Sequence, residues 1–143
     1  MVELLNYPFD SSMIHRKCNR IRNELMKGAF TNEIKVAVLG GSTTNQLVKI
    51  IELFLLKEGF LVSFYESEYN KYYEDAAFDN QTLLDFKPDF IYIHTTHHNI
   101  TEYSSLKATN EEIEIIFENQ ISKFSSIWNS LEKYNCPIIQ NNF

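Results

Sequence analysis

The sequence predicts an α/β domain with three layers, helices on both faces of a doubly wound parallel sheet. Three observations carry this. Four short apolar runs, at 34–39, 60–65, 90–94 and 138–139, alternate with segments of helical period. Each run turns abruptly polar at its C-terminal end. A length of 143 residues with 44% apolar and 14% aromatic content suffices for one core and is not the composition of a disordered chain. Strands that alternate with helices of this length need crossover connections, so the strands run parallel. The simplest doubly wound order for four strands is 2-1-3-4.

The elements follow in order. Ile14, Cys18, Ile21 and Leu25 recur on one helical face, which predicts a first helix from about Ser12 to Lys27, capped by Asp10 or Ser11. Gly28 stands where a helix ends. The run Ile34–Leu39 reads as a buried strand and stops at Gly40-Gly41. A helix over about Thr43–Glu58 places Leu47, Ile50, Ile51, Phe54 and Leu55 inward, and Gly59 ends it. Phe60–Tyr65 is the second strand. A polar, tyrosine-rich segment (66–80) leads to a short helix near Gln81–Phe86, then Pro88 and a third strand, Phe90–His94. Thr109 and Glu112 form a capping box. The helix it opens carries Ile113, Ile116, Phe117, Ile121, Phe124, Trp128 and Leu131 at core-facing spacing. Cys136-Pro137 leads into the fourth strand.

Composition excludes several classes. Thirteen basic residues against nineteen acidic ones leave a net charge of -6, which argues against a nucleic-acid binder. No run of eighteen apolar residues predicts a membrane span, and the N-terminus lacks the pattern of a signal peptide. Two cysteines without a CxxC suggest neither a disulfide framework nor structural zinc. The expectation is a soluble, cytoplasmic protein. The first 30 residues hold five basic and three acidic residues, +2, so the remainder carries -8. The basic group (Arg16, Lys17, Arg20, Arg22, Lys27) is either a solvated helix face or a docking strip for an acidic partner. No repeat or linker divides the chain, which reads as a helical segment (1–30) packed on one α/β domain (31–143).

In a parallel sheet the polar strand ends gather along one rim, where doubly wound folds bind ligands. Gly40, Gly41, Thr43, Thr44, Tyr69, Asn70, Thr95, His97 and Asn141 are the candidate binding residues there. After Gly40-Gly41, the helix start would offer unpaired N–H groups to an anion. Ser42 would be a nucleophile or an anion contact, unless Ser42 or Thr43 only caps the helix. Neither the GxxxxGK[ST] nor the GxGxxG spacing is present. His94, His97 and His98 have no Cys or carboxylate at ligand spacing, so no metal site is expected.

Leu39-Gly-Gly-Ser-Thr-Thr44 resembles the first block of SGNH hydrolases, in which Gly-Asp-Ser carries the nucleophile. Gly41 replaces the Asp. That resemblance makes Ser42 the candidate nucleophile and Asn99 the candidate oxyanion donor, with His94, His97 or His98 as an unconventional base. A broader likeness runs through 34–44, Glu-Leu-Phe-Leu-Leu (52–56), Tyr-Glu-Ser-Glu-Tyr-Asn (65–70), Phe-Lys-Pro-Asp-Phe-Ile-Tyr-Ile-His-Thr (86–95) and Pro-Ile-Ile-Gln-Asn-Asn-Phe (137–143). These segments resemble the N-terminal region of FkbH-like proteins, bacterial members of HAD superfamily subfamily IIIC. The resemblance implies an SGNH/flavodoxin-like domain that precedes a HAD phosphatase domain. It also implies a role in loading a glyceryl or similar acyl group onto an acyl carrier protein, in polyketide or surface-polysaccharide biosynthesis. Neither the HAD Asp-x-Asp nor the SGNH Asp-x-x-His occurs in the chain. The expectation is therefore a binding and docking module, truncated before any HAD domain, with a downstream HAD domain and a carrier protein as partners. No cofactor is expected in this chain, since magnesium would belong to the HAD domain. The alternative is an acyltransferase or esterase that uses Ser42.

Overall fold

The structure, a computed structural model, describes residues 2–142; Met1 and Phe143, the outer ends of the two expected segments, lie outside the described residues. Four strands, β1 (Asn32–Gly40), β2 (Phe60–Glu66), β3 (Phe90–His94) and β4 (Ile138–Gln140), form one sheet in the order β2-β1-β3-β4. All pairs are parallel, as the alternation with helices requires. β1 is central: Val36 pairs with Phe64 on one side and Phe90 on the other, and Gly40 pairs with His94.

Side chains alternate across the sheet, and each face has its own cover. Ala37, Leu39, Ile91 and Ile93 point into a core completed by three helices. These are α3 (Tyr72–Ala77), α4 (Gln81–Phe86) and α5 (Asn110–Leu131). Val36 and Val38 point the other way and meet Val48 of α2 (Asn45–Lys57). Outside α2 lies α1 (Ser11–Leu25), whose Ile14 and Ile21 pack with Leu5 and with Leu53 of α2. Beyond α2 this face is less completely covered. Ile34, Leu55, Tyr92 and Ile139 help wall an open apolar groove of about 370 Å³ there.

Local signals set most boundaries. Asp10 caps α1 by accepting from the Met13 N–H at 2.9 Å. Thr109 and Glu112 close both arms of the capping box on α5. Gly59 takes φ +85 after α2, a conformation that favours glycine. Gly28 has no such role, because α1 closes through Met26 at φ -64.

Three expectations are corrected. The inward side of α2 is not the stripe Leu47, Ile50, Ile51, Phe54, Leu55, all only half-buried; Val48, Leu53 and Leu56 are its buried residues. The helix is wedged between sheet and α1, so it buries two sides and a one-stripe reading selects the wrong one. The segment 66–80 contains a helix, α3, because Tyr72 and Ala76, one turn apart, both enter the core. Of the stripe expected on α5, only Phe124 and Leu131 are core, joined by Ile127, which the sequence reading left out. Phe124, Ile127 and Leu131 are buried, whereas Ile113, Phe117, Ile121 and Trp128 are exposed. Length explains this: 22 residues of helix span about 33 Å, while the five-residue β3 beneath spans about 17 Å. The first turns of α5 overhang the sheet.

The buried carboxylate Asp75 shows how α3 is tied down. Tyr65 Oη donates to Asp75 Oδ2 at 3.0 Å, and Asn80 Nδ2 donates to Asp75 Oδ1 at 2.8 Å. Asn80 Oδ1 also caps α4 by accepting from the Leu83 N–H. Burial, then the bond to Asp75, pushes the Tyr65 phenol up to about 12. The neutral phenol is the form the fold prefers. Its contribution is therefore complete below about pH 10, where the unfolded phenol is still protonated, and is lost as pH rises through 12. By linkage that rise corresponds to about 2.7 kcal/mol, and partial exposure reduces it to roughly 1 kcal/mol. Between pH 10 and 12 the chain should lose about 1 kcal/mol more stability than Tyr65→Phe, read by urea unfolding at each pH.

Candidate functional site

The carboxyl ends of β1 and β3 meet at the point where strand order reverses. The turn from β1 into α2 is held on every side. Gly40 N–H donates to Ser67 Oγ at 2.7 Å, and Gly41 N–H donates to the His94 carbonyl at 2.7 Å. Asn99, nearly fully buried, sits across the turn: its amide nitrogen donates to the Gly41 carbonyl at 2.8 Å and to Asn70 Oδ1 at 3.1 Å. Its amide oxygen accepts from the Thr96 N–H at 2.8 Å. A Cβ on Gly41 would lie 2.5 Å from both the Nδ2 and Oδ1 of Asn99. This close approach leaves no room for a side chain at position 41.

Asn70, in the left-handed region at φ 60, completes the bridge. Asparagine tolerates that conformation better than most residues. Gly41, Asn70 and Asn99 are thus brought together. Both amide hydrogens of Asn99 are engaged in this latch. An oxyanion role for it would require one of those bonds to open.

Ser42 is half-buried, and among the described residues its hydroxyl has no hydrogen-bond partner, imidazoles included. The N-cap position of α2 falls to Thr44, not to Ser42 or Thr43, and the Thr44 hydroxyl donates to Glu66 Oε2 at 3.3 Å rather than capping. His94 stacks on Tyr92, and its buried Nδ1 has no hydrogen-bond partner among the described residues. His97 and His98 lie ring against ring, centroids 3.9 Å apart, in the 3-10 turn His97–Asn99. Among the described residues no three His, Cys, Asp or Glu side chains are grouped to hold a metal.

Thr95 and Asn141 also meet, for a structural reason. Asn141 Oδ1 accepts from the Thr95 N–H at 2.9 Å, and its Nδ2 donates to the Thr95 carbonyl at 2.7 Å. The side chain imitates a strand backbone and extends the β3–β4 pairing past its end. Tyr69 stands exposed on the loop after β2.

A cleft of about 600 Å³ lies beside this latch between α3 and α5. Asn70, Tyr72, Tyr73, Glu74, His98, Asn99, Thr101, Asn119, Ser122, Lys123 and Ser126 line it. The Lys123 ammonium donates to the Asn99 carbonyl at 3.3 Å and stands 5.9 Å from the centre of the Tyr72 ring. Lys123 and Glu74 bring one cation and one carboxylate to this wall, and with several hydroxyls, amides and two tyrosines they suit a polar small molecule whose anionic group meets Lys123. The sequence reading missed Lys123. Its signal was available: Asn119, Ser122, Lys123 and Ser126 follow i, i+3, i+4, i+7, a polar stripe beside the apolar one.

No helix among the described residues is long and apolar enough to cross a membrane. Comparison with known proteins adds the following. No curated protein matches the chain. Among solved structures, the chain is similar to the N-terminal part of the protein BF1531 from Bacteroides fragilis, which contains a phosphatase domain and was determined in complex with Mg. The TM-score is 0.67 at 19% identity over 90% of this chain, and the match spans 32% of that chain, so it shows the fold alone. Residues 35–143 match the family described as FkbH, N-terminal domain. That match covers most of the sequence, and the chain belongs to the FkbH N-terminal domain family.

Proposed function

We propose that this domain is the non-catalytic binding and docking module of an FkbH-like protein. In this reading it holds a glyceryl or similar acyl group, or the carrier arm bearing it, during loading onto an acyl carrier protein. The supporting observation is the cleft beside the Asn70–Asn99 latch with the Lys123 ammonium in its wall. Magnesium-dependent phosphatase chemistry would belong to a downstream HAD domain. The setting would be the cytoplasm, in polyketide or surface-polysaccharide biosynthesis. The carrier would meet the basic face of α1 through Arg16, Lys17 and Arg20. Arg22 is already engaged with Glu52 at 2.8 Å.

Calorimetric titration with a phosphorylated three-carbon acid tests the cleft. A charge-assisted bond contributes about 1.5–3 kcal/mol, so Lys123→Ala should weaken binding roughly ten- to a hundredfold. Absence of binding, or equal binding by the variant, would count against the cleft.

The second reading, an acyltransferase or esterase, rests on the half-buried Ser42 in the turn between β1 and α2, although among the described residues its hydroxyl has no base as partner. A serine without a positioned base is a weak nucleophile. Intact mass after fluorophosphonate treatment should therefore show no adduct. An adduct that disappears in Ser42→Ala would favour the enzyme.

A further inference from the structure

The cleft beside the latch carries two unlike charges. Among the described residues that line it, Lys123 is the one ammonium and Glu74 the one carboxylate, and His98 adds an imidazole. They belong to different walls, Lys123 to α5 and Glu74 to α3. Neither neutralises the other. The Lys123 ammonium donates to the Asn99 carbonyl, a neutral partner. Among the described residues the Glu74 carboxylate accepts no hydrogen bond and joins no ion pair. Neighbouring charges are engaged elsewhere. Lys71, one turn before Glu74, is bonded to Glu68. Asp75 accepts from Tyr65 and Asn80, and Glu102, beside Thr101, accepts from the Asn119 amide at 3.3 Å.

We propose that the cleft selects a small zwitterion, an α-amino acid, with its carboxylate on Lys123 and its ammonium on Glu74, which makes Glu74 the specificity-determining residue. The inference rests on the cleft reading above and names the class of acid held there. A zwitterion gives each wall the charge it lacks. A hydroxy acid of the same size offers Glu74 only a neutral hydroxyl. A phosphorylated acid brings a second anionic group that no further lining cation meets, so it binds through Lys123 alone. Glu74 is exposed, and exposed charges interact weakly in water, so the pair of walls sets which acid is chosen more than how tightly it is held. The serine hydroxyls of α5, Ser122 and Ser126, leave room and partners for a polar side chain on the amino acid.

Amide-shift titrations of the 143-residue chain with serine and with glycerate of the same handedness test the assignment. The two acids differ only in an ammonium in place of the α-hydroxyl. Serine should bind about two- to fivefold more tightly, the range of an exposed charge pair. Glu74→Gln removes the charge and keeps the shape at an exposed position, so it should abolish that preference with unchanged circular dichroism. Lys123→Ala should weaken both acids. Equal or tighter binding of glycerate by the unsubstituted chain overturns the proposal, and so does a preference for serine that survives Glu74→Gln. If neither acid shifts the cleft residues while the phosphorylated three-carbon acid does, the cleft stands as a site and the proposal fails. If none of the three shifts them, the cleft reading and the proposal fail together.

Discussion

Gly41→Ala should destabilise the domain by about 2–3 kcal/mol, the cost of forcing a methyl group into filled space. The new Cβ would stand 2.5 Å from the Asn99 amide, far inside contact distance. Asn99 cannot simply retreat, because it bonds Gly41, Asn70 and Thr96 at once. Asn99→Ala alone should cost about 1–3 kcal/mol, since it leaves the buried partners of that amide unpaired. The pair is the informative variant. With the Asn99 amide gone, the Cβ at 41 has room, so Gly41→Ala/Asn99→Ala should cost about 1–2 kcal/mol less than the two single losses added. Urea unfolding of the four proteins measures this directly. Strict additivity would mean that the close approach of Gly41 and Asn99 is not what holds the turn.

The second large effect separates the two halves of α5. Ile127 is fully buried against the sheet, and Ile127→Ala should cost about 2–4 kcal/mol. Phe117 belongs to the same apolar periodicity yet is 64% exposed, and Phe117→Ala should change stability by less than about 0.5 kcal/mol. Denaturant midpoints of the two variants give the comparison. Similar losses at both positions would mean that the first half of α5 is packed in the folded chain.

That contrast marks where the sequence is informative. Strand alternation, the Gly40-Gly41 stop, Asp10 and the Thr109–Glu112 box all act locally, so the sheet order and most element ends could be read directly. Burial is not local. Ile113 and Leu131 read as members of one stripe in the sequence, and only the short strand beneath α5 decides that Leu131 meets the core and Ile113 overhangs it. The same holds for Leu53, whose burial depends on α1 lying across α2. At the rim, Asn70, Asn99 and Asn141 were legible as candidates, but their tasks were not. Whether an amide side chain meets a ligand or a backbone carbonyl depends on residues distant in sequence, such as Gly41 for Asn99 and Thr95 for Asn141. Lys123 was missed because the stronger apolar period of its helix masked the polar stripe beside it.

The central proposal is that a small anionic ligand binds in the cleft between α3 and α5 rather than at the turn around Ser42. Amide chemical shifts of the chain titrated with a phosphorylated three-carbon acid test it most directly. The account predicts saturable shifts concentrated at Asn70, Asn99, Thr101 and Lys123, lost in Lys123→Ala. Shifts confined to Ser42, Thr43 and Thr44, or no saturable shift at any cleft residue, would contradict it.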